Sequence, residues 1–267
     1  MNELQGAKKM NDETCVLTVQ LGNSETKCGV FKAGELQATW ATATHVLATP
    51  DDITLNLQRF LETQELVAPA HSIMCSVVPA ATDAWASALS AVCGKRPLLV
   101  GPGLKTGLSL GYKDPAQIGA DRVVCAVAAK QLWGEAVIVA DFGQTTTLSV
   151  LDANGVFAGG VIAPGLPVCM DALASSAAQL IPLTLRPSKR ILGRSTAEAV
   201  QSGVVMGEVL RADGFIDALW DELGQSTRLV ATGRYASLVA ELSCHEFRIE
   251  PHLALQGLHA VWCLNKK

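Results

Sequence analysis

A strand, a tight glycine-containing turn and a second strand follow one another at two widely separated places in this chain. The first copy occupies residues 16–31, where an apolar run enters the turn Gly22-Asn23-Ser24 and a strand pattern resumes after it. The second copy occupies residues 136–151, with its turn at Gly143. Each copy has the pattern of a β-hairpin. A hairpin repeated at this separation predicts two similar domains.

The stretches between and after the hairpins have helical patterns. Thr49-Pro50-Asp51-Asp52 is typical of a helix start, because proline suits the first helical position and acids complement the helix dipole. Apolar periodicity predicts further helices at 82–92, 121–132, 168–180, 196–219 and 235–242. Asn154-Gly155 predicts a second hairpin turn. We therefore expect an α/β fold of two domains, residues 1–117 and 118–267.

Composition excludes several classes of function. The net charge of −4 leaves no excess of basic residues to neutralise phosphates, so we expect no nucleic-acid partner. Residues 1–13 contain no apolar signal sequence, and no apolar run reaches the length of a membrane span. The eight cysteines are widely spread and form no C-x-x-C pair, which favours free thiols over structural zinc. We expect a cytoplasmic protein.

The duplicated hairpin resembles the superfamily of acetate and sugar kinases, Hsp70 and actin. That resemblance implies two ribonuclease H-like, actin-like domains with a nucleotide cleft between them. Glycine lets a phosphate approach the backbone, where N–H groups and hydroxyls can solvate it. The residues that the resemblance assigns to the nucleotide are Gln20, Gly22, Asn23, Ser24, Lys27, Gly143 and Gln144.

A longer series of motifs resembles type III pantothenate kinases. The segment GPGLKTGLSLGYKDPAQIGADRVVCAVAA, residues 101–129, is similar to the pantothenate-site segment of that family. Similar stretches follow in family order: ADFGQTTTLSVLDANG, GGVIAPGLPVCMDALASSAAQLI, GRSTAEAVQSGVVMG, VATGRYA and LALQGLHAVW. The resemblance spans nearly the whole chain. It implies phosphorylation of pantothenate to 4'-phosphopantothenate by ATP, with Mg²⁺ and a monovalent cation (K⁺ or NH₄⁺), in a homodimer.

The resemblance also assigns individual roles. Asp121 matches the proton acceptor, and a carboxylate at a helix start can orient a hydroxyl and accept its proton. A plain helix cap is the alternative for this residue. Arg122 matches a substrate ligand, and its guanidinium suits the pantothenate carboxylate. The remaining residues assigned to the substrate site are Tyr112, Gly119, Ala120 and Thr196.

Asp141 matches the family's monovalent-cation ligand. It follows an apolar strand and precedes the glycine turn at Gly143. A carboxylate there can equally cap a hairpin by accepting backbone N–H groups. Both interpretations of Asp141 stay open at the level of sequence.

The chain departs from the family pattern where nucleotide contacts are expected. Gln20 stands where the family has an aspartate that helps hold Mg–ATP, and Mg²⁺ prefers anionic oxygen. Gln144 replaces a threonine, Arg234 replaces a glycine, and Cys125 replaces an asparagine. The chain is therefore either a working kinase or an impaired paralogue that acts as a non-catalytic subunit of a heteromer. Another superfamily activity, such as that of a phosphatase, is a third possibility.

Overall fold

The two predicted hairpins lie in two separate sheets, one in each of two compact units. The computed structural model describes residues 15–134, 136–176, 186 and 190–266. The first unit comprises the described residues up to Lys105 and those from Leu258 onwards. The second unit is Thr106–Gly257. Residues 106–117 thus belong to the second unit. The division of the chain into domains 1–117 and 118–267, made from the sequence, stays a prediction.

The sheet of the first unit has five strands in the order β3-β2-β1-β4-β5. The antiparallel strands β1, β2 and β3 form a meander, and β4 and β5 continue the sheet in parallel with β1. Their bounds are β1 Cys15–Leu21, β2 Glu25–Lys32, β3 Glu35–Ala43, β4 His71–Ser76 and β5 Leu98–Leu99.

The sheet of the second unit repeats this arrangement and adds one edge strand. Its order is β11-β10-β7-β8-β9-β6, in which β7, β8 and β9 form the antiparallel meander and β10 and β11 are parallel to β7. The bounds are β6 Ser109–Leu110, β7 Val137–Phe142, β8 Thr145–Leu151, β9 Val156–Pro164, β10 Arg228–Thr232 and β11 Arg248–Ile249. Five consecutive strands of each sheet therefore share one topology, which confirms the predicted α/β fold with two similar domains.

Helices cover these sheets and complete the two cores. They are α1 Pro50–Thr63, α2 Pro79–Cys93, α3 Ala120–Trp133, α4 Leu166–Ser176, α5 Thr196–Leu223, α6 Ala236–Leu242 and α7 Leu253–Asn265. The first core packs α1 and α2 around β1, and Leu17, Leu57 and Leu89 are fully buried there. The second packs α4, α5 and α6 around β7, with Ile138, Val205 and Val239 fully buried. None of the described helices meets the length and hydropathy that crossing a bilayer requires.

Local signals explain where several elements begin. Thr49 caps α1 by accepting a hydrogen bond from the Asp52 N–H, and Asp52 accepts one from the Thr49 N–H in return. Ser195 caps α5 through the Glu198 N–H. The predicted helix at 168–180 is observed as α4, and residues 177–180 lie outside the described part of the chain.

Candidate active site

The first predicted phosphate loop is a tight turn that requires glycine. The Gly22 N–H donates to the Glu25 carbonyl oxygen at 3.1 Å, and a Cβ at Gly22 would lie only 2.8 Å from that oxygen. The Thr44 hydroxyl donates to the Gly22 carbonyl oxygen at 2.7 Å. Asn23 and Ser24 are exposed at the tip. The turn therefore presents polar side chains to solvent on a fixed backbone.

Gln20 lies on β1 directly opposite Lys27 of β2. Because side chains two apart on a strand share a face, Glu25 lies on the same face as Lys27. The Lys27 Nζ is 3.7 Å from a Glu25 carboxylate oxygen. The structure thus brings Gln20 and Lys27 together beside the first loop, where Glu25 supplies a carboxylate and Gln20 supplies none.

The second predicted loop is held by groups that the sequence did not reveal. The Gly143 N–H donates to the Thr145 carbonyl oxygen at 3.1 Å, and Gln144 is exposed next to it. The Thr146 hydroxyl donates to Glu208 Oε1 of α5 at 2.5 Å.

Glu208 anchors this loop from inside the second unit. Its side chain is buried and forms an ion pair with Arg211, whose guanidinium also donates to the Pro164 carbonyl oxygen at the end of β9. Burial raises the pKa of the Glu208 carboxyl, while the Thr146 hydroxyl and Arg211 act in the opposite direction. The network fixes the start of β8 and the end of β9 against α5.

Asp141 is the last residue but one of β7 and lies close to two glycine turns. A Cβ at Gly143 would lie 3.7 Å from Asp141 Oδ1, and a Cβ at Gly233 would lie 2.3 Å from it. Gly233 also has a φ of +91°, so a larger residue is strained there as well as obstructed. Arg234 follows it, exposed and close to its neighbour Tyr235, with its guanidinium carbon 5.9 Å from the ring centre. The structure therefore groups Asp141 with the second loop and with the departure at Arg234.

Arg122 and Tyr112 both lie against one aromatic ring, that of Phe157. The Arg122 guanidinium carbon is 5.3 Å from the centre of the Phe157 ring, and Tyr112 is 6.0 Å from that ring, centre to centre. Arg122 Nε donates to the Ser149 hydroxyl at 3.0 Å. Arg122 Nη2 is buried without a hydrogen-bond partner among the described residues.

A pair of glycines on β9 makes room for these side chains. Gly159 and Gly160 have φ angles of +147° and +154°. A Cβ at Gly160 would lie 1.8 Å from the Leu148 carbonyl oxygen and 3.0 Å from Arg122 Nη2. Only glycine fits at residue 160, and the absence of a side chain there lets the guanidinium lie against the sheet.

Asp121 lies in the first turn of α3, where the Arg122 N–H donates to its Oδ1 at 2.8 Å. Burial raises the pKa of the Asp121 carboxyl above its ordinary value, while the backbone N–H and the charge of Arg122 act in the opposite direction. Gly119 is the N-cap residue of this helix and Ala120 its first residue. A half-buried carboxylate with a raised pKa at a helix start is a candidate proton acceptor.

Thr196 is the one predicted substrate residue on α5. It is the first residue of α5 and is exposed. Among the described residues, no hydrogen bond joins it to Asp121, Arg122 or Tyr112. The predicted substrate role of Thr196 therefore stays a prediction.

Comparison with known proteins gives the family. The family model described as type III pantothenate kinase matches residues 16–218. The chain belongs to the type III pantothenate kinase family. A relative from Frankia alni described as a type III pantothenate kinase is 38% identical to this chain, over 92% of this chain and 98% of the relative. A relative from Listeria monocytogenes with the same description is 35% identical, over 94% of this chain and 98% of the relative.

Solved structures agree on the fold. A Baf family protein from Campylobacter jejuni superposes with a TM-score of 0.58 at 17% identity, covering 93% of this chain and 98% of that one. The ROK hexokinase of Thermus thermophilus superposes with a TM-score of 0.53 at 12% identity, covering 95% and 100%. At these identities the likeness shows a shared two-domain fold of the actin-like ATPase and sugar kinase type.

Membership of this kinase family implies the use of ATP and a divalent metal ion, and most of the residues present fit that requirement. Gly22 and Gly143 carry no side chain, which leaves room for a phosphate to approach the backbone of each turn. Asp141 offers anionic oxygen beside the second turn. Gln20 is the residue that fits least well, because its amide oxygen carries no net charge.

Proposed function

We propose that this chain transfers the γ-phosphate of ATP to the primary hydroxyl of pantothenate. The observation that carries the proposal is Arg122, a buried guanidinium held by Ser149 and Phe157. Its Nη2 has no hydrogen-bond partner in the part of the chain that the structure describes. An unpaired buried donor costs free energy, and a ligand carboxylate can satisfy it. Tyr112 lies beside the same ring, and Asp121 precedes Arg122 on the same helix.

The chain's residues divide the chemistry between them. Arg122 binds the pantothenate carboxylate, and Asp121 orients the hydroxyl that attacks the γ-phosphorus. As the new oxygen–phosphorus bond forms and the bond to the bridging oxygen breaks, the hydroxyl proton passes to Asp121 and ADP leaves. The Gly143 turn, which belongs to the same unit as Arg122 and Asp121, binds phosphate oxygens, and the same role is predicted for the Gly22 turn from sequence. Mg²⁺ supplies the positive charge that neutralises them.

The chemistry can be tested by product analysis. Mass spectrometry of a reaction containing the purified chain, Mg-ATP and pantothenate should detect phosphorylated pantothenate. The alternative of a non-catalytic subunit has no support in the comparisons. It would predict that product appears only when a second, more typical family member is added.

Asp141 is the proposed ligand of the monovalent cation. Its carboxylate lies beside the Gly143 turn and close to Gly233, where carbonyl oxygens can complete a K⁺ or NH₄⁺ site. Activation by K⁺ that disappears in Asp141→Asn supports this role. Equal activity with K⁺ and with a large organic cation argues for the hairpin-cap interpretation.

Gln20→Asp is expected to improve the use of Mg-ATP. The substitution restores an anionic oxygen opposite Lys27, and changes around a bound metal alter affinity or activity by about 10- to 100-fold. We expect at least about a 10-fold gain in kcat/KM for Mg-ATP. Gln37→Asp makes the same change at an exposed position of β3 and should have no effect. A gain no larger than that of Gln37→Asp would show that residue 20 does not limit metal binding.

A second copy of the chain is the proposed partner, docking on the second unit. Three large apolar side chains are exposed on this unit: Ile162, Val168 and Leu210. Because monomeric proteins rarely expose grouped apolar side chains, such a group indicates an interface. Arg211, next to Leu210, binds the Pro164 carbonyl oxygen, which places these residues in one region. The heteromer predicted as an alternative would use the same surface. We place the protein in the cytoplasm.

Leu210→Glu is expected to convert the dimer to a monomer, because a charge in an apolar interface stays unpaired. Light scattering after size-exclusion chromatography measures the mass directly. Leu55→Glu, on an exposed face of α1 in the first unit, is the matched control and should leave the mass unchanged. A Leu210→Glu protein with the wild-type dimer mass would place the interface elsewhere.

A further inference from the structure

Four potential metal ligands, none of them assigned to catalysis, lie on α5 and on the loop after α6. We call them the α5–loop cluster: Asp213, Asp217, Cys244 and His245. One ligand atom each from Asp213, Cys244 and His245 lies within 4.8 Å of the other two. Asp213 and Asp217 are one helical turn apart, so both face the loop from the same side of α5.

We propose that the α5–loop cluster binds a zinc ion. Thiolate, imidazole and carboxylate are the ligand types found in zinc sites, and four of them complete a tetrahedral shell. Bond lengths of about 2.0 to 2.3 Å separate tetrahedral ligand atoms by about 3.3 to 3.8 Å. The ligand atoms of Asp213, Cys244 and His245, now within 4.8 Å of one another, would move about 1 Å closer when zinc binds. Mg²⁺ and Ca²⁺ prefer an all-oxygen shell and fit these ligands less well.

The contacts of His245 support a metal ligand over a simple ion pair. His245 Nε2 lies 3.0 Å from Asp217 Oδ1, yet the pair does not have hydrogen-bond geometry and Nε2 is buried. Two ligands of one metal ion meet in this way, close together without a proton between them. The His245 ring also packs against Trp220 in a T-shaped arrangement, 4.8 Å between ring centres, which restricts its orientation.

Asp213 has the supporting hydrogen bonds typical of a ligating carboxylate. The Ser243 hydroxyl donates to Asp213 Oδ1 at 2.5 Å, and the Cys244 N–H donates to Oδ2 at 3.1 Å. Each oxygen keeps a second lone pair for a metal. Such outer contacts orient the first shell of protein metal sites.

The charge of the cluster also favours a cation. Asp213 is buried, and in the described part of the chain neither Asp213 nor Asp217 pairs with a lysine or an arginine. The cluster therefore contains two carboxylates and a thiol but a single imidazole, so its ionised groups are mainly negative. When zinc binds, the Cys244 thiol releases its proton to solvent as the sulfur–zinc bond forms.

Zinc binding to the full-length protein tests the proposal without an activity assay. The protein is stripped with a chelator and dialysed against zinc in excess Mg²⁺, and bound zinc is measured by elemental analysis. We expect one zinc ion per chain, with affinity at least about 10-fold weaker in Cys244→Ser and in His245→Gln. The matched control Cys169→Ser, at a half-buried cysteine of α4, should bind as the wild type does.

Cobalt gives a second readout of the same ligands. Co²⁺ bound to a thiolate should produce a charge-transfer absorption band, and Cys244→Ser should remove it while Cys169→Ser keeps it. Unchanged melting temperatures in chelator would show that the variants fold, since Cys244 is exposed. No stoichiometric zinc in the wild type, or zinc bound equally well by both cluster variants, would overturn the proposal and leave a hydrogen-bonded loop anchor.

Discussion

Asp121→Asn is expected to lower kcat by at least about 100-fold, because positioned general bases contribute about 10²- to 10⁴-fold. The substitution keeps an oxygen that can accept the Arg122 N–H but removes the basicity that takes the hydroxyl proton. Since Arg122 is untouched, the KM for pantothenate should change little. Steady-state kinetics with both substrates varied measures the two effects separately. If Asp121→Asn keeps the wild-type kcat, Asp121 is a helix cap and not the proton acceptor.

The raised pKa of Asp121 gives two further readouts for the same variant. Activity needs the ionised carboxylate, so wild-type activity should fall on the acid side through a pKa above the ordinary 3.8. Burial disfavours the ionised form, so the folded state gains from protonation of Asp121 at low pH and loses that gain as the pH rises through the folded-state pKa. At neutral pH, Asp121→Asn should therefore melt no lower than the wild type, which distinguishes a lost base from a lost fold.

Gly160→Ala is expected to destabilise the protein by about 3 kcal/mol or more. The added methyl group would lie 1.8 Å from the Leu148 carbonyl oxygen, so β8 and β9 must separate, and a φ of +154° disfavours alanine in any case. For a chain of this size the change corresponds to a fall of about 6–12 °C in the melting temperature. Arg122 should be displaced too, because its Nη2 would be 3.0 Å from the new carbon.

Gly203→Ala is the matched control for this prediction. Gly203 is an exposed residue inside α5, where an added Cβ meets nothing within 4 Å. Alanine is the better helix former by about 1 kcal/mol, so this variant should be as stable as the wild type or more so. Similar melting temperatures for Gly160→Ala and Gly203→Ala would contradict the pairing of β8 with β9 described above.

The duplicated fold could be predicted because its signals are local. Each of these signals depends only on residues adjacent in sequence: the turns at Gly22 and Gly143, the Asn154-Gly155 turn and the Thr49 cap. The strands β4 and β10 gave no comparable signal, because a short apolar run buried on both faces cannot be told from a piece of helix. Helix α7 was missed for a related reason, since its sequence is apolar on most sides and shows little periodicity.

The candidate site was predictable only where family motifs exist. Asp121, Arg122 and Tyr112 were identified by resemblance, and the structure brings Arg122 and Tyr112 together through Phe157. Ser149 and Glu208 gave no signal, because each acts on a residue distant in sequence: Ser149 on Arg122, and Glu208 on Thr146. The same limit applied to the α5–loop cluster, since a search for cysteine pairs cannot detect ligands drawn from a helix and a remote loop.

Pantothenate-dependent ADP release by the purified wild-type chain, with Mg-ATP and K⁺, tests the central claim most directly. The proposed function predicts ADP release that requires pantothenate and matches the phosphorylated product one to one. ADP release that continues unchanged without pantothenate would indicate a different superfamily activity. No ADP release from the wild type or from Gln20→Asp would contradict an autonomous kinase.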